Sequence, residues 1–132
     1  MVVNLKIMNN DDDYKDTLTV AAYKVCRLAG TEQPFSGIYN DHWHRGIYHC
    51  ACCDQTLFNS ESKFNAGCGW PSYFAAIENK VDYKPDNTLA TERVEILCNN
   101  CQSHLGHVFD DGPEPTGKRY CVNSLSLKFQ AE

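Results

Sequence analysis

The sequence predicts a mainly β fold, with two antiparallel sheets in a small domain stapled by zinc and a short helix near the N-terminus. Short β-rich runs divided by turn residues occupy most of the chain after Gly30. Two Cys-x-x-Cys pairs lie at the ends of such runs, so that one metal ion would join two strand ends. A single amphipathic segment before Gly30 supplies the helix.

Length and charge favour one independent domain. The 132 residues are 42% hydrophobic, which suits a single core. We expect one domain over residues 17–132, after a flexible acidic arm at 1–16 in which residues 9–13 concentrate charge without an apolar period. The formal net charge of −5 leaves no basic surface for phosphates or anionic lipid, so nucleic acid and membranes are excluded as default partners.

The cysteine content needs a chemical explanation. The start of the chain is too short and too polar for a signal peptide, and no apolar run reaches about 18 residues, so we expect a cytoplasmic protein. Thiols stay reduced in that compartment unless they bind metal or take part in redox chemistry. The eight cysteines should therefore divide among metal ligands, catalytic thiols and buried thiols.

The helix is predicted over residues 17–29. Thr17 or Asp16 is placed to cap its start, and Gly30 to end it. Cys26 lies four residues after Ala22 and is expected to be a small buried side chain without a chemical role. The apolar residues at helical spacing are Leu18, Ala21, Ala22, Val25, Leu28 and Ala29.

Six strands follow in the prediction. The last shows the cleanest alternation, with Leu125, Leu127 and Phe129 separated by polar residues. Turn residues divide the runs at 34–37, 59–60, 85–87 and 110–117. The predicted strands are 46–50, 56–58, 93–98, 107–110, 119–123 and 124–129.

The two Cys-x-x-Cys pairs predict one structural zinc ion per chain. Cys50 with Cys53, and Cys98 with Cys101, have the spacing that directs two thiolates at one tetrahedral ion. The 44 residues between the pairs exceed the usual spacing, but the longer loop costs only about 1 kcal/mol. Structural zinc contributes about 10 to 16 kcal/mol, which outweighs that cost. Cys52 is assigned as a free thiol beside this site.

Two other assignments of these residues stay open. In the first, the two Cys-x-x-Cys pairs are redox-active dithiols. In the other, Cys98 and Cys101 bind an ion together with His104 and His107, which leaves the first pair without a function.

Two further cysteines have contrasting surroundings. Cys121 follows Lys118 and Arg119, and Arg119 lies two residues away on the same face of an extended strand, where its charge favours the thiolate. This is the setting of a nucleophile. Cys68 lies between two glycines in a flexible loop, the setting of a thiol that resolves onto a partner sulfur.

Several motifs together resemble the methionine-R-sulfoxide reductase family, B type. The resemblance runs from about Leu18 to Phe129. It is carried by both Cys-x-x-Cys pairs and by the segments 31–37, 46–50, 67–72, 104–109, 111–113 and 119–124.

The resemblance implies reduction of methionine (R)-sulfoxide, free or in proteins, as a repair of oxidative damage. The Cys121 thiolate would attack the sulfoxide sulfur and be left as a sulfenic acid. Cys68 would then form a disulfide with Cys121, and thioredoxin is the family's usual reductant.

The resemblance also implies roles for the residues around Cys121. Attack on sulfur moves electron density onto the sulfoxide oxygen, and the candidate donors there are His104, His107 and Asn123. Which histidine is the acid stays open. Trp70, and Phe109 beside it, would contact the apolar substrate group, and Arg119 is a candidate for binding substrate oxygen or tuning Cys121.

The chain departs from the family pattern in two places. Segment 87–93 lacks the aromatic or His residue followed by Gly-Met that many members carry, which puts substrate lining from it in doubt. Asp54 and Gln102 directly follow the second cysteine of each Cys-x-x-Cys pair, a position where the family often has glycine. The alternative functions are a non-catalytic zinc-stapled module that binds a protein partner, and a zinc ribbon that binds nucleic acid, which the net charge disfavours.

Overall fold

The predicted mainly β architecture is confirmed. The structure, a computed structural model, describes residues 14–132. These residues form one α-helix, α1 (Val20–Cys26), and nine strands. The acidic stretch 9–13 lies outside the described residues.

The smaller sheet has three antiparallel strands in the order β2–β1–β9. The central strand pairs with the end of the chain, so that Tyr48 lies opposite Phe129. The strands are β1 (Gly46–Cys50), β2 (Thr56–Asn59) and β9 (Leu127–Ala131).

The larger sheet has six antiparallel strands in the order β3–β4–β8–β7–β6–β5. Its two central strands, β7 and β8, align His107 with Cys121. The strands are β3 (Lys63–Phe64), β4 (Ser72–Tyr73), β5 (Val81–Asp86), β6 (Arg93–Cys98), β7 (His104–Phe109) and β8 (Arg119–Val122).

An aromatic core joins the two sheets. Tyr48 of β1 and Phe58 of β2 both contact Tyr73 of β4, with ring centroids 5.4 Å and 4.4 Å apart. All three side chains are fully buried. Burial of such rings supplies much of the hydrophobic stabilisation available to a domain of this size.

The packed region extends further toward the N-terminus than the predicted boundary at residue 17. Tyr14 belongs to the core and is 1% exposed. The Arg27 guanidinium lies 4.8 Å from the centroid of its ring. The predicted flexible arm therefore does not include Tyr14.

Helix α1 is shorter than the predicted 17–29. Its N-cap is Thr19, whose hydroxyl accepts the Ala22 N–H at 3.1 Å, and not Thr17 or Asp16. Thr17 instead donates to the Tyr14 carbonyl in a preceding turn. The helix ends before Ala29, which has a left-handed φ of 56°. No helix within residues 14–132 is long and apolar enough to cross a membrane.

The predicted strand 124–129 is wrong in its first half. Residues Ser124–Ser126 form a 3-10 helix, and the strand begins at Leu127. The cause is hydrogen bonding by two buried serines, because the Ser124 Oγ accepts the Tyr39 N–H and the Ser126 hydroxyl donates to the His104 carbonyl. These hydrogen bonds compete with strand pairing, so the backbone of this segment does not join the sheet.

Other strand boundaries also differ from the prediction. Strand β7 begins at His104 and not at residue 107, and the strands β3, β4 and β5 were not predicted. Pro85 and Asp86 belong to β5 although they were predicted as a turn. Proline is tolerated there because β5 is the edge of the sheet, where an N–H can be missing from the outer side.

We predict that Gly106→Ala destabilises the protein by about 3 kcal/mol, because overpacking costs up to that amount. A Cβ at Gly106 would lie 1.9 Å from the Cys121 carbonyl oxygen, which belongs to the paired backbone of β8. Urea unfolding measures the change in free energy.

Gly117→Ala is the matched control, because Gly117 has a φ of 73° but open space around it. It should lose only about 1 kcal/mol, the cost of a left-handed alanine. Equal losses in both variants would contradict a steric role for Gly106.

Candidate active site and metal centre

Four cysteine sulfurs gather where the two sheets meet. Cys50 ends β1 and Cys98 ends β6, and each is followed by a tight turn that brings in Cys53 or Cys101. The Sγ atoms of Cys50 and Cys101 are 3.6 Å apart, as are those of Cys53 and Cys98, and all four lie within 4.8 Å of one another. Tetrahedral thiolates at 2.3 Å from zinc are about 3.8 Å apart, so the cluster fits a metal ion.

The two turns of the cluster have the same backbone geometry. The Asp54 N–H bonds the Cys50 carbonyl at 3.0 Å, and the Gln102 N–H bonds the Cys98 carbonyl at 2.8 Å. Asp54 and Gln102 have left-handed φ angles of 66° and 62°. These are the positions where the family often has glycine, since glycine adopts this conformation without strain.

The two cysteines assigned as bystanders lie outside the cluster. Cys26 is buried, with its sulfur 3.7 Å from the Leu125 carbonyl oxygen, as predicted for a buried thiol. Cys52 is half-buried and does not belong to the four-sulfur group. Within residues 14–132 no histidine joins that group, and the pairs come together as one site.

A cavity of about 290 Å³ opens over strands β7 and β8. It brings together seven of the eight residues predicted to act in catalysis or substrate binding. These are Cys68, Trp70, His107, Phe109, Arg119, Cys121 and Asn123; Thr31, Arg93 and Gly106 complete the wall.

The two candidate redox cysteines are already in contact. Their sulfurs are 3.9 Å apart, with Cys121 on β8 and Cys68 in the loop between β3 and β4. That loop is held by the Phe35 N–H, which bonds the Gly69 carbonyl at 2.7 Å. Gly69 has a φ of 100°, and a Cβ there would lie 2.7 Å from the Pro34 Cβ, so only glycine fits.

The contact couples the protonation of the two thiols, because either sulfur can be the hydrogen-bond donor. The hydrogen bond with Cys121 lowers the pKa of Cys68 to about 5, against the effect of burial. The same bond, together with burial, raises the pKa of Cys121 above its usual range. The charge of Arg119 lowers the pKa of Cys121, but the hydrogen bond and burial outweigh it.

Arg119 is held rigidly at the cavity wall. Its guanidinium donates to both carboxylate oxygens of Asp111, at 2.8 and 3.2 Å, and lies 4.4 Å from the centroid of the Phe109 ring. A paired and stacked arginine has a fixed orientation. The cavity therefore has a cation in a defined place beside its two thiols.

The structure separates the two histidines that the sequence could not rank. The His107 ring lines the cavity, and its Nε2 lies 2.7 Å from the Asp86 carboxylate. His104 is 5% exposed, and its Nδ1 lies 2.6 Å from Glu95. Burial lowers the pKa of His104, against the opposing effect of Glu95. His104 therefore lies behind the cavity wall and not on it.

Glu32 connects two of the predicted site residues. Its backbone N–H donates to the Asn123 side-chain oxygen at 3.0 Å, and its carbonyl accepts the Trp70 indole N–H at 3.1 Å. Its carboxylate accepts the Leu125 N–H at 3.0 Å. The Asn123 amide nitrogen also donates to the Leu105 carbonyl. These bonds fix the cavity faces of Trp70 and Asn123 with respect to β7 and the 3-10 helix.

Sequence reasoning missed several residues of the site. Arg93 was assigned only to the start of a strand, and Asp86 to a turn, yet Arg93 lines the cavity and Asp86 bonds to His107. Thr31 and Gly106 lay in segments that carry the family resemblance, which was a usable signal for them. Asp86 carried no local signal for this role, because its cavity-lining partners Arg93 and His107 are 7 and 21 residues away.

Comparisons with known proteins agree with this geometry. Residues 18–131 match the family described as SelR domain. Similar relatives carry the name peptide methionine sulfoxide reductase MsrB. One from Alteromonas mediterranea is 53% identical, over 92% of this chain and 87% of its own. One from Methanosarcina mazei is 50% identical, over 96% and 91%.

A solved structure shares the fold alone. The crystal structure of the Mis18 'Yippee-like' domain has a TM-score of 0.51 and 17% identity, and the match covers 67% of this chain and 98% of that one.

The fold and the site define a class of protein: a two-sheet β domain with a four-cysteine cluster that could hold a metal ion, and a redox-type site of two contacting thiols in a cavity. The family match over nearly the whole chain, with relatives at about 50% identity, makes the assignment specific. The chain belongs to the MsrB family of peptide methionine sulfoxide reductases.

We predict that one equivalent of hydrogen peroxide converts the reduced, metal-loaded protein to a single disulfide between Cys68 and Cys121. Their 3.9 Å contact and the low pKa of Cys68 favour this pair. Differential alkylation and peptide mass spectrometry identify the bond. A disulfide from Cys121 to Cys26 or Cys52 would contradict the pairing.

Proposed function

We propose that the chain reduces the R epimer of methionine sulfoxide, free or within proteins, to methionine and so repairs oxidised proteins. Family membership supports the reaction. The observation that carries the proposal is the contact of the Cys68 and Cys121 sulfurs inside a cavity, since sulfoxide reduction by thiols requires two of them in sequence.

The cavity suits a methyl sulfoxide. Trp70 and Phe109 offer aromatic faces, which bind methyl and thioether groups favourably. Arg119 and His107 offer donors on the same wall, and Asn123 an amide. A group with an apolar methyl and a strongly polar oxygen matches this division, with the oxygen toward the donors.

The first chemical step requires the Cys121 thiolate. The proton that Cys121 shares with Cys68 moves across their hydrogen bond to Cys68, and the Cys121 thiolate attacks the sulfoxide sulfur. The sulfoxide oxygen accepts a proton from a donor in the wall, with His107 as the candidate that lines the cavity, and His104 outside it. The hydroxyl then transfers from the methionine sulfur to the Cys121 sulfur as the sulfur–sulfur bond made by the attack breaks. Methionine leaves with the electron pair of that bond, and Cys121 remains as a sulfenic acid.

The second step forms the disulfide and releases water. The Cys68 thiol attacks the sulfenic sulfur of Cys121, its proton and the hydroxyl leave as water, and the disulfide is the result. A dithiol protein of the thioredoxin class then returns both cysteines to thiols. Residues 17–132 act as one catalytic domain in this proposal, and a thiol cycle of this kind suits the reducing cytoplasm.

A non-catalytic protein-interaction module remains the competing function for the same fold. A module of that kind has no need for two contacting thiols, a paired arginine and a histidine around one cavity. The thiol contact therefore favours the enzyme.

The catalytic prediction uses single turnover of the reduced protein without added reductant. The wild type should yield one equivalent of methionine from a peptide R-sulfoxide and lose two thiols. Cys121→Ser should yield none. Cys68→Ser should yield one equivalent and stop as a sulfenic acid, since Cys121 has lost its resolving partner.

Mass spectrometry with both epimers reads the result, and thioredoxin then tests recycling. Turnover of the S epimer alone, or of neither, would exclude the proposed reaction. Normal cycling of Cys68→Ser with thioredoxin would move the resolving role to Cys26 or Cys52.

We also propose that the ion held by Cys50, Cys53, Cys98 and Cys101 is zinc, because four thiolates in tetrahedral spacing are a structural zinc site. Its role is to join the ends of β1 and β6.

Elemental analysis should find about one zinc per chain in the wild type, as structural four-cysteine sites require. The double variant Cys50→Ser, Cys98→Ser should lose the metal and melt at a lower temperature, because metal binding contributes folding free energy. Cys52→Ser is the control, since Cys52 is outside the cluster, and should keep the metal. Zinc retained by the double variant would refute the ligand set.

A further inference from the structure

Asp86 connects two cavity residues from outside the cavity. It is the last residue of the edge strand β5. Its Oδ2 lies 2.7 Å from Nε2 of His107 and 3.1 Å from Nη2 of Arg93, and both of these side chains line the cavity. The Asp86 and His107 side chains are each only 13% exposed.

The other carboxylate oxygen is equally constrained. Oδ1 of Asp86 accepts the Thr88 hydroxyl at 2.7 Å and the Thr88 backbone N–H at 3.0 Å. The Thr88 hydroxyl, and after it the bond with His107, hold the pKa of Asp86 well below its usual range. Asp86 is therefore an ionised group that only accepts hydrogen bonds.

An ionised partner decides which nitrogen of His107 carries a proton. Because the carboxylate has no hydrogen to donate, Nε2 of His107 must be the donor in their 2.7 Å contact. In the neutral ring Nδ1 then has the lone pair. Only the doubly protonated ring has a proton on Nδ1 to donate. Loss of that proton leaves the neutral Nε2–H tautomer, which is the form bonded to Asp86.

We propose that Asp86 is a positioning residue for the reductase reaction, which fixes His107 as the Nε2–H tautomer so that Nδ1 delivers the proton to the sulfoxide oxygen. The inference rests on the proposed function. In the step, the imidazolium loses the Nδ1 proton to oxygen as the methionine sulfur–oxygen bond breaks. Asp86 keeps its charge throughout and is not itself protonated, and Arg93 is held at the wall by the same oxygen.

The second histidine and carboxylate make a useful contrast. Glu95 binds Nδ1 of His104 at 2.6 Å, but that pair lies outside the cavity. The remaining charged or titratable groups around His107 are His104 on its own strand, Glu95 and Arg93 on β6, and Cys121 and Arg119 on β8. Two carboxylates, Asp86 and Glu95, are therefore near His107, and Asp86 is the one that bonds to this cavity-lining ring.

The first test measures the tautomer and needs no catalysis. Two-bond nitrogen–proton NMR spectra of imidazole-labelled wild-type protein, at a pH where the ring is neutral, should show His107 protonated at Nε2. Asp86→Asn should show a mixture, because an amide both donates and accepts. A wild-type His107 protonated at Nδ1 would overturn the proposal even in an active enzyme.

The second test measures single-turnover rates with a peptide R-sulfoxide. Asp86→Asn should slow methionine formation on the order of 100-fold, the usual contribution of a general acid. Asp86→Glu should restore part of the rate, since it restores an ionised acceptor. The matched control is Asp110→Asn, which removes an exposed carboxylate paired with Lys118 outside the cavity and should leave the rate unchanged.

The two proposals fail in different ways. A wild type that reduces no R-sulfoxide would contradict the proposed function, whatever the tautomer of His107. A wild type that is active, with Asp86→Asn within threefold of its rate and correctly folded by its NMR spectrum, sinks the role of Asp86 alone. A large loss in Asp86→Asn with no gain in Asp86→Glu also counts against it, because the ionised acceptor would not be the cause.

Discussion

The pairing of β7 with β8 is the constraint on which the site depends. Its register aligns His107 with Cys121 and Phe109 with Arg119, so that four chemically different side chains share one region of the sheet. The register requires a very close approach at Gly106, beside the Cys121 carbonyl. A residue slip in either strand would send these side chains to the opposite face. The register of the sheet, more than the conformation of any loop, therefore positions the side chains of the site.

The rest of the molecule holds this pair of strands from three sides. The four-cysteine cluster joins β6, the neighbour of β7, to the smaller sheet through the end of β1. Glu32 ties Trp70 and Asn123 to one border of the cavity. Along the opposite border the edge strand β5 contributes Asp86. Residues far apart in sequence thus fix one small volume, which is the condition for holding reacting groups in a productive geometry.

The sequence predicted those features that depend on local pattern. Strands 46–50 and 93–98 were found with their correct bounds, because alternation and turn residues mark them. The sequence could not locate the start of α1 or the 3-10 helix at Ser124–Ser126, since these depend on hydrogen bonds of the Thr19 hydroxyl and of buried serines. In the site, the cysteines and His107 were found by motif. Asp86 and Glu32 were not, because a carboxylate gains its role from partners that only the fold brings near.

The short distance between the Cys68 and Cys121 sulfurs has a consequence for survival under oxidative stress. A disulfide bond is about 2 Å long, so a 3.9 Å contact closes with a small movement of one side chain. A sulfenic acid formed on Cys121 then meets Cys68 at a high effective concentration, far above that of any diffusing peroxide. In the proposed cycle, we therefore expect resolution by Cys68 to outrun further oxidation to the sulfinic acid, which thiols do not reverse. If Cys121 is the nucleophile as proposed, the same spacing that completes the cycle would also protect it from overoxidation, in the conditions under which oxidised methionine accumulates.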